Sequence, residues 1–203
     1  MISIYVETNF VLELVFQQGE YKSCEAILTL CQSHQVKLII PAYSLVEPNE
    51  KLYRQAQKRT KLQEELNQEL NQLQRSEVYR NRIQNLQDTA NLIIASTQEE
   101  RSRFSLYRNQ LLDVAEIINL SQEILNHATL CESEYSLSAQ DAVIYASVIH
   151  HLEETRPKQA CFLNRNSRDF DSPDIVNSLQ GFNCRMIPRF DHGLRFIKSQ
   201  LSA

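Results

Sequence analysis

Four short apolar runs punctuate a chain whose other apolar residues recur at helical spacing. They are Ile2-Ser3-Ile4-Tyr5-Val6, Val36-Lys37-Leu38-Ile39-Ile40, Gln159-Ala160-Cys161-Phe162-Leu163 and Cys184-Arg185-Met186-Ile187. Each is too short for a helix and reads as a strand, the first two being rich in β-branched residues. Between the first two lie a segment from Phe10 to Gln17, with Thr8 or Asn9 as its cap, and a helical pattern from Tyr21 to His34 with Cys24, Ile27, Leu28, Leu30 and Cys31 on its apolar face. A strand, two helices and a strand imply a right-handed crossover and a parallel sheet.

The middle of the chain has a different rhythm. Leu62, Leu66, Leu70 and Leu73 form one seam, and Ile83, Leu86, Ala90 and Ile93 a second. No Gly or Pro occurs between Asn49 and Pro157, so residues 51–110 read as two long helices in an antiparallel hairpin, breaking near Arg75 to Arg80 or Thr97 to Ser102. A further helix is expected over Leu111 to Leu130 and another beginning at Ser138, with Ala142, Val143, Ala146, Val148 and Ile149 buried. Ser172-Pro173 starts a helix that Gly181 closes, and Phe190 to Leu201 forms the last. The expectation is an α/β fold with a parallel sheet and a long helical insertion.

Composition adds little to this and charge adds something. A chain of 203 residues with ordinary apolar content can bury one core and carry an appendage, and three Gly and no Trp fit helix-rich structure. No apolar run approaches a membrane span, and the start lacks the basic region of a secretory signal, which points to a cytoplasmic protein. The five cysteines have no CxxC spacing, so zinc is disfavoured and buried thiols are expected. Net charge is −4, but residues 51–110 hold 11 Lys and Arg against 7 Asp and Glu. That basic segment, with Lys51, Arg54 and Lys58 on one helical face, suits contact with phosphates.

Candidate chemistry sits at strand ends and helix starts. Glu7 follows the first strand, at the edge where parallel α/β sheets bind ligands. Asn164, Asn166, Asp169, Asp171 and Asp174 crowd the loop after the third strand. Glu47 lies at a helix start, where Ser44 to Glu47 also fits a capping box, and Pro48 places that start close by. Asp141 is three residues after Ser138, so it is either a cap partner or a ligand. His150 and His151 are adjacent and face different directions. Hard oxygen donors without His or Cys suit Mg²⁺ or Mn²⁺, and such groups serve metal-assisted phosphodiester hydrolysis. No Gly-rich phosphate loop exists, which disfavours a generic nucleotide-binding protein.

In order and spacing, IYVETNFVLEL, LIIPAYSLVE, LSAQDAVIYAS and FLNRNSRDFD resemble the PIN domain family. The resemblance covers residues 1–50 and 111–201, which implies a PIN-like three-layer domain built from 1–50 and 111–203 with a helical insertion over 51–110. It implies an Mg²⁺- or Mn²⁺-dependent endoribonuclease, of the toxin type in many members. Carried over by position, Glu7, Glu47, Asp141 and Asp169 are catalytic acids, and Glu7, Asp141, Asn166 and Asp169 hold the metal. Thr8 and Asn9 position water or the first carboxylate. Lys51, Arg54, Lys58 and Arg165 are the expected phosphate contacts. Partners so implied are RNA, an antitoxin protein and a second copy of the chain. Two departures from the family pattern stand out: Glu7 replaces the usual Asp, and Asn166 and Ser167 stand where another Asp is common. A nucleic-acid-binding PIN-like protein of weak or absent activity, or a helical interaction module, is the alternative reading.

Overall fold

The structure, a computed structural model, describes residues 1–166, 170 and 172–202, with residues 81–87 described by their backbone alone. Its centre is a five-stranded sheet of β1 (Ser3–Val6), β2 (Lys37–Pro41), β3 (Glu116–Ile118), β4 (Ala160–Leu163) and β5 (Cys184–Ile187). All neighbours run parallel, in the order β3-β2-β1-β4-β5. The helices among the described residues are α1 (Thr8–Phe16), α2 (Tyr21–Gln32), α3 (Ala42–Gln74), α4 (Arg80–Val114), α5 (Gln122–Tyr135), α6 (Ala139–Thr155), α7 (Pro173–Gly181) and α8 (Phe190–Leu201). None is long and apolar enough to cross a membrane.

Side chains alternate across the strands and build two cores. Ile4, Val6, Leu38, Ile40, Cys161 and Leu163 face one layer, packed with α1, α2, α8 and the sheet-proximal ends of α3 and α4. Tyr5, Ile39 and Phe162 face the other, packed with α5, α6 and α7. Burial on both faces explains why the central strands read as unbroken apolar runs. All five cysteines are buried, free thiols within these layers.

Chain order reverses at β1: β2 and β3 are added on one side, β4 and β5 on the other. The crevice beyond the carboxyl ends of β1 and β4 is therefore the switch point, where doubly wound sheets hold ligands. Val6 pairs in register with Leu163, so Glu7 and Asn164 emerge side by side into that crevice. Gly193 on α8 lets that helix approach β4; a Cβ there would lie 2.6 Å from Leu163 Cδ2.

Three local expectations change. The segment Leu111 to Leu130 is not one helix: α4 runs on to Val114, β3 follows at Glu116–Ile118, and α5 starts at Gln122, capped by Ser121, whose Oγ accepts from the Ile124 N–H at 3.2 Å. The spacing of Leu111, Ala115 and Ile118 fits a helix, but pairing with β2 satisfies the backbone of this edge strand. The first helix is capped by Glu7 rather than Thr8 or Asn9. Finally, α3 begins at Ala42, so Pro48 lies in its second turn and Ser44 is not the cap. A proline there removes the N–H that would meet the Ser44 carbonyl.

The middle of the chain forms the long pair α3 and α4, which breaks at 75–79, the first of the two sites expected. Arg59 clamps the pair with a fork onto Glu100: Nη1–Oε2 is 2.6 Å and Nη2–Oε1 is 2.9 Å. Leu70 and Ala90 are buried, whereas Leu62 and Leu73 face solvent. Ile83 and Leu86 lie outside the residues whose side chains are described. The last turns of α4 return to the core through Phe104, Tyr107 and Leu111. There Tyr107 donates to Glu25 Oε1 at 2.6 Å and Arg103 Nε to the Val15 carbonyl at 2.7 Å.

Candidate active site

Glu7 ends β1 and caps α1 in extended backbone, with Oε2 accepting the Asn9 N–H at 2.7 Å. Its other oxygen accepts the Arg165 N–H at 3.3 Å. The side chain is only 4% exposed. Burial pushes its carboxyl up to about 7, against the lowering effect of those backbone donors, and the charge of Asp141 nearby adds to the rise.

The other acids come from helix starts. Thr8 donates its hydroxyl to Glu47 Oε2, joining the first turn of α1 to the second turn of α3. Of the two readings of Glu47, the capping box does not form, since Pro41 rather than Ser44 is the cap position. Asp141, in the first turn of α6, both caps and faces the crevice. Ser138 Oγ accepts the Asp141 N–H at 3.2 Å and donates to Asp141 Oδ2 at 2.6 Å, while Asn166 Nδ2 donates to Oδ1 at 3.3 Å. The two readings of Asp141 are thus compatible, because one oxygen serves each. Asn164, buried after β4, accepts the Asn166 N–H at 2.7 Å and fixes the loop.

A cavity of about 220 Å³ opens among these groups, lined by Glu7, Thr8, Asn9, Glu47, Asp141 and Asn166, with Lys51, Gln140, Leu12 and Ile144. Next to it lies a larger groove of about 520 Å³ lined by Glu47, Glu50, Lys51, Arg54, Gln55, Lys58 and Gln140. Glu47, Lys51 and Gln140 line both. The basic face of α3 therefore continues from the acidic cavity. Arg54 is engaged there by Glu50 at 2.8 Å, an exposed pair one turn apart.

Arg165 lies elsewhere. Its guanidinium pairs with Glu13 on α1, a carboxylate only 1% exposed. Asp169, together with Ser167 and Asp171, falls outside the described residues. Gln140 and Glu13 were missed in the sequence. Gln140 adjoins Asp141 in a capped first turn, and Glu13 is a lone acid within the apolar run FVLELVF, a signal that was available.

Among the described residues, no three acidic, His or Cys side chains already cluster as an ion cage. The donor set around the cavity is still of the right kind. Two carboxylates, Glu7 and Asp141, with the Asn166 amide and room for water, match the way Mg²⁺ is held by one or two carboxylates while keeping part of its hydration shell.

Fold and site together describe a doubly wound α/β domain with an acid-lined crevice at its switch point. The chain belongs to the PIN domain family: a sequence model of the PIN domain matches residues 4–170. That family is one of nucleases, and divalent-metal dependence is general within it. Among solved structures, the chain is similar to the crystal structure of VapBC2 from Rickettsia felis bound to a DNA fragment from their promoter. Identity there is 13%, over 92% of this chain and 98% of that one, with a TM-score of 0.45. Comparison with curated proteins gives no match.

Proposed function

We propose that this chain is an Mg²⁺- or Mn²⁺-dependent endoribonuclease. The observation that carries the reading is the continuity of an acidic cavity at the sheet's switch point with a groove lined by Lys51, Arg54 and Lys58. Glu7, Asp141 and Asn166 would hold the ion. When bound, it supplies a polarised phosphate oxygen and a more acidic water. The Asn9 and Arg165 N–H groups fix the Glu7 carboxylate, and Asn166 fixes one oxygen of Asp141. Thr8 holds Glu47 at the mouth shared by cavity and groove, where its carboxylate can take a proton from an attacking water. Lys51 and Lys58 give the backbone of the RNA a cationic track leading to that mouth.

The test is cleavage of a mixed-sequence RNA with Mg²⁺, with Mn²⁺ and with excess EDTA. Cuts that need the ion and return when it is restored support the proposal. RNA retained at low salt without cleavage in any condition favours a non-catalytic binding protein instead.

A further inference from the structure

We propose that Glu13 and Arg165 form a positioning pair that holds the loop after β4 in its metal-binding geometry, so that Arg165 serves the site through its anchor rather than by touching phosphate. The proposal rests on the nuclease reading above and extends it to two residues outside the acid set.

Arg165 touches α1 twice. Its backbone N–H donates to Glu7 Oε1 at the start of the helix, and its guanidinium reaches Glu13 six residues later, about 9 Å along the axis. Glu13 is a fixed anchor. It is buried in α1, and its second oxygen accepts the Glu20 N–H at 2.9 Å. A carboxylate so deeply buried needs a cationic partner, and the protein supplies one from a loop rather than from a neighbouring helix. The loop between these contacts is short. Asn164 Oδ1 accepts the Asn166 N–H, and Asn166 Nδ2 reaches Asp141. One ion pair thus fixes where the N–H on Glu7 points and where the Asn166 amide lies. Groups that orient metal ligands in this way typically contribute 10- to 100-fold to metal affinity.

The anchor is itself braced. Glu20, whose N–H binds Glu13, accepts the Phe190 N–H at 2.6 Å and so ties the start of α8 to the same corner. The pair therefore connects a firmly packed corner to Arg165 and Asn166, which follow β4.

The experiment compares wild type with Glu13→Gln, Arg165→Met, the double variant and Arg165→Lys. Mn²⁺ affinity is read by titration calorimetry, RNA retention by its salt dependence, and folding by circular dichroism. Glu13→Gln keeps an acceptor for the Glu20 N–H and leaves no buried charge, so it tests the pair without forcing unfolding. Each single variant is expected to bind Mn²⁺ about tenfold more weakly, and the double variant no more weakly than the worse single one, because the two act as one unit. Arg165→Lys should recover part of the loss. RNA retention and its salt slope should be unchanged. Unaltered Mn²⁺ affinity in folded Arg165→Met overturns the proposal. So does a salt slope reduced by about one with Mn²⁺ affinity intact, which would make Arg165 a phosphate contact. Wild type that fails to bind Mn²⁺ would instead remove the nuclease reading, and the positioning role with it.

Discussion

Glu7 is held in a conflict between burial and charge. Two backbone donors favour its ionised form, yet desolvation outweighs them and lifts the carboxyl from its ordinary 4.5 to about 7. The folded chain therefore binds this proton more tightly than the unfolded chain does. Without metal, stability should fall as pH rises from about 4.5 to about 7. Glu7→Gln removes that penalty, so in EDTA at pH 8 it should be the more stable protein, by up to about 3 kcal/mol, with the difference vanishing near pH 4.5. Chemical denaturation at the two pH values measures this. Mn²⁺ should reverse the order by raising the melting temperature of wild type alone. His151 behaves in the opposite sense. Its Nδ1 lies 2.8 Å from Tyr5 Oη and its Nε2 3.5 Å from Glu116 Oε2, and burial holds its pKa below 6.5 even though Glu116 pulls the other way. The unfolded chain then takes up a proton that the fold resists. The stability associated with neutral His151 is complete above about 6.5 and is lost as pH falls below it. His151→Gln should flatten that acid limb of a melting curve. Residue-level sequence reading singled out Glu7, Asp141 and Asn166 because each follows a strand end or a cap signal, and the three line one cavity. For Glu47 it left a capping box open beside the catalytic reading, because the bond to Thr8 spans 39 positions and has no local signature.

At the scale of elements, periodicity located four of the five strands and the hairpin, and it failed where two patterns overlap. Glu116–Ile118 is a strand only because β2 offers an edge; its neighbours Leu111 and Ala115 keep helical spacing. The same limit applies to Pro48, which looked like a marker of the first turn and sits in the second. What no pattern reveals is the clamp between the two long helices. Arg59 is mostly buried, and Glu100 is 7% exposed, so the pair is largely desolvated. Arg59→Met should destabilise the protein by about 3 kcal/mol, because it leaves the Glu100 carboxylate without its partner. The double variant Arg59→Met with Glu100→Leu should recover most of that loss. Equilibrium urea unfolding reads both, and equal destabilisation of single and double variants would show that the pair is not the clamp.

At the scale of the molecule, α3 joins the site to the hairpin, since Glu47 and Lys51 stand in its early turns and Arg59 further along. Phe104, Tyr107 and Leu111 return α4 to the sheet, so the two ends of the hairpin belong to the core. We propose that the distal portion is dispensable for folding. Replacing residues 63–97 by a short turn should leave a cooperative melting transition, whereas deleting 51–110 should abolish it, because that removes Leu52, Phe104 and Tyr107 from the core and the entry to the groove. Calorimetry distinguishes these outcomes. The central claim concerns the acids, and its most direct test is RNA cleavage in Mn²⁺ by wild type beside Asp141→Asn. An asparagine there keeps one oxygen to accept from Asn166 Nδ2, and its NH2 can donate to Ser138 Oγ in place of the bond Asp141 accepts, so the fold should persist while one ion-binding charge is lost. The account predicts Mn²⁺-dependent cleavage by wild type, reduced at least 100-fold in the folded variant. Equal cleavage by the two proteins, or cleavage that survives EDTA, would contradict it.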